Sequence, residues 1–266
     1  GDTRCSSRIR WLSLLPGIDG QCGYFVITGR LRQCEDMNDS NPPSQLLVRS
    51  RLGNPDGWLF DLDNTLYPAA SNLFDQVDRR MGTYISNLLG ISRDCARVLQ
   101  KRFYRDHGST LSGLMRHHGA DPDAFLEYVH NIDLGAVGPS PVLAAALSRL
   151  PGRKFVFTNG SVGHAERVMG RLGVASYFEG IHDIKASAYQ PKPESAAYHS
   201  VMTRFGLTAR SLIMVDDIPT NLEPASALGV TTVWVRHDGW ADYIAGDHID
   251  YVTDNLAGWL AQIVFD

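Results

Sequence analysis

Trp58-Leu59-Phe60-Asp61-Leu62-Asp63-Asn64-Thr65-Leu66-Tyr67 is the stretch that decides the fold of this 266-residue chain. Trp58 to Phe60 form a short apolar run that reads as a buried parallel strand, and the carboxylates begin where that strand ends. Ligands of open α/β sheets bind outside the carboxyl ends of the strands. Asp61 and Asp63 are therefore expected at the mouth of a site. On extended backbone, residues two apart share a face, so both carboxylates can converge on one small anion and its metal. The competing reading is a polar loop with two solvated aspartates.

Further along the chain, three more polar groups follow apolar runs or open helices. Lys154 to Phe157 are followed by Thr158-Asn159-Gly160. Lys192 stands between two prolines in Gln190-Pro191-Lys192-Pro193-Glu194, just before a helical pattern. Leu212 to Val215 end in Asp216-Asp217, with Asn221 four residues beyond the pair. Each piece has an ordinary explanation, since Thr-Asn pairs make turns and Asp residues cap helices. Together and in this order they resemble the haloacid dehalogenase superfamily, whose members are mostly magnesium-dependent phosphohydrolases. A closer resemblance is to its pyrimidine 5'-nucleotidase branch, through Phe-Asp-Leu-Asp-Asn-Thr-Leu-Tyr-Pro at 60–68, Phe-Thr-Asn-Gly at 157–160, His164-Ala165-Glu166-Arg167-Val168 and Pro191-Lys192-Pro193. The similarity runs from about residue 57 to 236. One departure is Val215-Asp216-Asp217-Ile218, where many relatives carry Phe-Glu-Asp-Leu; Asp for Glu keeps the charge on a shorter arm.

This resemblance implies hydrolysis of a phosphate monoester through an aspartyl-phosphate intermediate. Asp61 is then the nucleophile, a carboxylate that needs no base to ionise it. Asp63 protonates the leaving oxygen and later takes a proton from the hydrolytic water, helped by neighbouring carboxylates that raise its pKa. Thr158, Asn159 and Lys192 hold the phosphoryl oxygens. Mg²⁺ is the implied cofactor, on the Asp61 carboxylate, the Asp63 carbonyl and an acid of the Asp216-Asp217 pair. Asn221 either orients an oxygen of that pair or caps the next helix. The implied partner is a small phosphorylated metabolite, a pyrimidine nucleoside 5'-monophosphate.

Composition sets outer bounds. Apolar content of 44% and charged content of 20% are ordinary for a globular chain with a sizeable core. A net charge of −4 argues against a binder of nucleic acid polymers, and no apolar run approaches the roughly 18 residues of a membrane span. Cys5, Cys22 and Cys34 fall in the first 36 residues and only Cys95 lies beyond, which is no disulfide framework and suits a cytoplasmic protein. Residues 1–36 show no periodicity and no motif, and the first methionine is Met37. We expect residues 1–53 to be a disordered extension, with Met37 as the natural start, and a monomer or homodimer overall.

The fold class expected is α/β, a Rossmann-like parallel sheet core with an inserted helical-bundle cap. The distance from Asp61 to Thr158 is far longer than one crossover needs. Leu73, Val77, Met81, Tyr84, Ile85 and Leu88 keep helical spacing up to Gly90. Ser92 can cap a second helix, Leu111 to Met115 suggest a third, and Asp121-Pro122 open a fourth. The cap is expected over 70–138 and the core over 54–69 and 139–266. Strands alternating with helices in the core imply a parallel sheet covered on both faces.

Tyr104 to Thr110 reads as a polar connection between two cap helices, from which Arg105, His107, Ser109 and Thr110 can reach a sugar or base; the plainer reading is an exposed helix connection. His117, His118 and His164 have no acidic or cysteine partner at ligand spacing and read as surface or core residues. Within the superfamily, Asp63 argues against a dehalogenase, which needs one carboxylate and no metal. A phosphonatase would want a cap lysine, and Lys101 sits mid-helix. A phosphatase of another small metabolite or a sugar-phosphate mutase shares every core motif. From a different class, a receiver-like signalling or binding module also sets Asp, Thr and Lys at strand ends, but it is shorter and has no helical insert.

Overall fold

Trp58 and Phe60 face one way from their strand and Leu59 the other, and the neighbouring strands repeat that alternation. In the computed structural model, which describes residues 51–265, the strands are β1 (Arg51–Leu52), β2 (Gly57–Phe60), β3 (Arg153–Phe157), β4 (Gly180–His182), β5 (Leu212–Asp216), β6 (Thr231–Val235), β7 (Tyr251–Thr253) and β8 (Val264–Phe265). Six of them form one all-parallel sheet in the order β4-β3-β2-β5-β6-β7. The helices are α1 (Leu73–Leu89), α2 (Arg93–His107), α3 (Thr110–His118), α4 (Pro122–His130), α5 (Pro141–Arg149), α6 (Val162–Leu172), α7 (Ser195–Phe205), α8 (Pro219–Ala227) and α9 (Leu256–Gln262).

Because both faces of the sheet are apolar, both must be covered. Trp58, Phe60, Val156, Val215 and Val233 pack under α5, α6 and α9 through Leu147, Val168 and Leu260. Leu59, Phe155, Phe157, Met214 and Trp234 pack under α7 and α8 through Tyr198, Val201 and Leu222. β2 is central, with Phe60 opposite both Val156 of β3 and Val215 of β5. That register brings the residues after β2, after β3 and at the end of β5 to one edge, which is where Asp61, Thr158 and Asp216 lie.

Between β2 and α5 the chain builds a four-helix cap, α1 to α4, around Val77, Ile85, Phe103, Leu114, Phe125 and Val129. Ser92 and Asp121 cap α2 and α4 by accepting from Cys95 N and Asp123 N. Gly113 is demanded by packing: a Cβ there would run into the Phe103 ring. Ile184 and Tyr189, from the segment after β4, join the cap's apolar cluster and seat it on the core.

Two expectations need correction. The core begins before residue 54: Arg51–Leu52 pair in parallel with Val264–Phe265, and Leu52 is buried in the main cluster. Burying an apolar side chain of this size contributes about 1.5–3 kcal/mol, reason enough for this short strand to form. The last helix, α9, accordingly ends at Gln262 and leaves Val264–Phe265 extended as β8. The expectations for residues 1–50, Met37 included, lie outside the described residues. Second, Tyr104 to Thr110 is not a loop. α2 runs through His107 and α3 starts at Thr110, so only Gly108 and Ser109 connect them. Among the described residues, no helix is long and apolar enough to cross a membrane.

His182 carries a testable consequence of burial. It is fully buried in β4, meets Phe157 edge-on at 5.6 Å, and neither ring nitrogen has a hydrogen-bond partner among the described residues. Burial pushes its pKa down to about 4. The unfolded chain takes up this proton below about pH 6.5 while the folded chain refuses it until about pH 4, so stability falls as pH drops through that window. Acidification from pH 6.5 to 5 should cost the wild type on the order of 1 kcal/mol more than His182→Leu. Thermal melts at the two pH values measure the difference, and parallel losses in both proteins would refute this account.

Candidate active site

Asp61 leaves the end of β2 with its N–H bonded to Val215 O at 2.8 Å, which locks the residue to the sheet edge. Its Oδ1 meets the Lys192 ammonium at 2.8 Å, and the same Nζ donates to Asp216 Oδ2 at 2.7 Å and Phe157 O at 2.8 Å. Lys192 is only 1% exposed and sits at the centre of a buried cluster of acids. Burial opposes its charge, but Asp216 and Asp61 outweigh that and raise its pKa, so it stays an ammonium. Burial pushes Asp61 well above the usual carboxylate range; Lys192 opposes this, and the charges of Asp216 and Asp217 add to it. Three acids for one lysine leave an excess of negative charge.

Asn159 places Lys192 through a reciprocal pair of bonds: its Oδ1 accepts from Lys192 N at 2.8 Å and its Nδ2 donates to Lys192 O at 3.1 Å. Thr158 Oγ1 accepts from Gly160 N at 2.9 Å. Asn221, expected either to orient an acid or to cap a helix, orients: its Nδ2 donates to Asp216 Oδ1 at 3.0 Å, beside Ile218 N at 2.9 Å. Both oxygens of Asp216 are thus engaged inside the protein. Asp217 Oδ2 is bonded to His237 Nε2 at 3.0 Å, and Asp217 lines the cavity, with its pKa pushed up to about 6 by burial and the Asp216 charge against the opposing His237 bond.

Asp63 has a different environment. Asn64 adopts a left-handed conformation (φ 59°), which Asn tolerates, and the tight turn brings Tyr67 back so that its hydroxyl donates to Asp63 Oδ1 at 2.6 Å. His164 Nε2 meets the same oxygen at 2.8 Å. Burial works to raise the Asp63 pKa, but His164, Tyr67 and His130 outweigh it and hold the carboxyl below its ordinary value. Crowding by acids was expected to raise this pKa. The structure reverses the expectation because the groups touching Asp63 are the Tyr67 hydroxyl and the His164 imidazole, not the other carboxylates.

Core and cap enclose a cavity of about 240 Å³. Asp61, Asp63, Thr158, Asn159, Lys192 and Asp217 line its floor, and Phe74, Val77, Met81, Phe125, Leu126 and Val129 line its cap side. Of the four cap residues singled out from sequence, Ser109 and Thr110 line the cavity, while Arg105 and His107 do not. Because α2 continues to His107, the cavity face is carried by Gln100, Lys101 and Tyr104, and each further residue turns about 100° away. Arg105 is exposed and pairs with Asp106, and His107 meets His117 at 2.9 Å.

Several contributors escaped the sequence: Tyr67, Tyr104, His130, His164 and His237. Tyr104 lines the cavity although 43% exposed, and partial desolvation at the cavity wall, then the charges of Asp216 and Asp217, push its pKa up. For Tyr67 the signal was local, four residues from Asp63 across a turn. The contacts of His164 with Asp63 and of His237 with Asp217 join distant parts of the chain and carry no spacing signal.

A parallel sheet with acids and a buried lysine at its carboxyl edge, under a helical insert, defines a class of α/β hydrolytic enzymes. The chain belongs to one such family: residues 55–229 match the haloacid dehalogenase-like hydrolases. It is 25% identical over 202 residues to Phosphate metabolism protein 8 of Saccharomyces cerevisiae; the match covers 68% of this chain and 62% of that protein. It is also 25% identical over 218 residues to Glyceraldehyde 3-phosphate phosphatase of Methanocaldococcus jannaschii, covering 75% of this chain and 93% of that one. Among solved structures, CbbY from Rhodobacter sphaeroides in complex with phosphate shares the fold with TM-score 0.55 and 18% identity, over 78% of this chain and 99% of that chain.

Proposed function

We propose that this protein hydrolyses phosphate monoesters of small metabolites, with pyrimidine nucleoside 5'-monophosphates as the substrate class. The observation that carries this reading is the buried Asp61–Lys192–Asp216 cluster facing a cavity that Asp63 also lines. An Asp61 oxygen attacks phosphorus as the bond to the ester oxygen breaks, giving an aspartyl phosphate. Asp63 supplies the proton to the departing oxygen and takes one back from the water that cleaves the intermediate. The phosphate dianion brings like charge toward Asp63, which raises its proton affinity as substrate enters. Lys192, Thr158 and Asn159 hold the phosphoryl group in place.

The acid cluster fits Mg²⁺. Asp61, Asp216 and Asp217 each offer a carboxylate oxygen within 4.8 Å of the others, and hard oxygen donors in excess negative charge suit this ion. Asp61 and Asp217, with the Asp63 carbonyl, would hold it, while Asp216 stays bonded to Lys192 and Asn221. Bound there, the ion would screen the phosphate charge from the nucleophile. The apolar part of the cap lining, formed by Phe74, Val77, Met81, Phe125, Leu126 and Val129, supports a leaving group with a flat, weakly polar face, such as a pyrimidine base, while Gln100, Lys101, Ser109 and Thr110 beside it offer polar contacts to a sugar.

A panel of phosphate esters assayed for free phosphate tests the reading. Pyrimidine nucleoside monophosphates should be turned over faster than triose and hexose phosphates. A chelator should silence the enzyme, and Mg²⁺ should restore it better than Ca²⁺, which prefers looser and higher coordination. Isomerised sugar phosphate without free phosphate would make the protein a mutase, and equal activity in both ions would count against this metal site.

A further inference from the structure

Both donors that reach Asp63 from side chains converge on one oxygen. Tyr67 OH and His164 Nε2 approach Oδ1 at 2.6 and 2.8 Å, and Oδ2 has no hydrogen bond among the described residues. Asp63 lines the cavity with 15% of its side chain exposed, so the unbonded oxygen is the one available to a ligand. His164 itself is fully buried on α6, and its Nδ1 has no partner among the described residues. An ionised carboxylate only accepts hydrogen bonds, so His164 presents Nε2–H to Asp63.

The ring is also held in orientation. His130, the last residue of the cap helix α4, stacks on His164 with centroids 4.4 Å apart and planes 9° apart. His130 Nδ1 meets Ser161 Oγ at 2.9 Å, and Ser161 caps α6, the helix that carries His164. Arg167 of the same helix donates to the His130 carbonyl. The cap's final turn and α6 thus clamp the imidazole as a pair.

We propose that His164 is a positioning residue, which together with Tyr67 fixes one oxygen of Asp63 so that the other faces the leaving group, and that His130 holds the imidazole in place for this task. The proposal rests on the phosphatase reading above and adds a residue to it. Its consequence is selective. Without His164, Asp63 swings between orientations, and proton delivery to the leaving oxygen is impaired. Attack by Asp61 and the grip of Lys192 on phosphate are untouched.

Leaving-group dependence reads this out, because 2,4-dinitrophenolate departs without a proton and phenolate needs one. His164→Ala should lower kcat for phenyl phosphate about 10²-fold more than for 2,4-dinitrophenyl phosphate, the scale of a lost general acid, with KM nearly unchanged. His164→Gln carries an amide nitrogen at the position of Nε2 and should restore most of the loss; Tyr67→Phe should show the same selectivity more weakly. If His164→Ala does not fold, judged by its circular dichroism, the other two variants decide. Equal losses on both esters, or no rescue by Gln, would overturn the positioning role while leaving the phosphatase reading intact. A wild-type protein that hydrolyses neither ester would overturn both.

Discussion

Asp61→Asn should abolish turnover and leave the protein as stable as the wild type or more so. A neutral amide cannot replace the carboxylate as nucleophile, and we expect kcat to fall on the order of 10⁴-fold or more. The stability half follows from electrostatics. Asp61 is 8% exposed, and burial with two neighbouring acids raises its pKa despite Lys192. A folded-state pKa above the unfolded value means that the charged form costs stability at neutral pH. Asn keeps the shape and removes that cost, with Lys192 still bonded to Asp216. The expected melting temperature is therefore unchanged or higher, the usual signature of an active site that holds destabilising charge. Residual activity above a trace would refute the covalent route, and a marked drop in melting temperature would show that the Asp61–Lys192 pair is net stabilising.

Lys192→Met should be the most damaging single change to the fold near the site. It removes the ammonium that bonds Asp61, Asp216 and Phe157 O in an environment with almost no solvent. Breaking a buried pair from one side strands the opposite charge, a cost of about 3–5 kcal/mol. For a domain of this size that corresponds to a fall of about 10 °C in melting temperature. Activity should fall with it, since the phosphoryl group loses its cation. Repeating the substitution in an Asp61→Asn background separates pairing from packing, because one of the two stranded acids is then neutral. The stability loss should shrink by about 1 kcal/mol or more, and an undiminished loss would assign it to the missing aliphatic stem instead.

How far the sequence reaches is clearest at the cap. Ser92 and Asp121 announce helix starts because capping is a local interaction between a side chain and an N–H two or three residues on. The polar run Tyr104 to Thr110 misled for a related reason. Polarity on a helix says which face meets water, not where the helix ends, and α2 continues through His107 with Arg105 turned outward. Leu52 escaped in a similar way: a two-residue strand has no period to detect, and its partner lies at Val264–Phe265.

The strands, their order of appearance and the acids and lysine that follow them were legible because each rests on a short-range pattern. An apolar run of β2 or β5 is buried on both faces, and the polar residue after it must emerge at the carboxyl edge. Sequence by itself therefore determined the α/β class, the helical insert and the grouping of Asp61, Thr158, Lys192 and Asp216. Tertiary structure alone decided the electrical state of those groups. Parallel pairing of β2 with β5 buries Asp61 beside Asp216, while α6 brings His164 to Asp63 from far along the chain. Two aspartates two residues apart consequently have pKa values shifted in opposite directions. The cause is the distance and burial of partners in space, which no local spacing encodes.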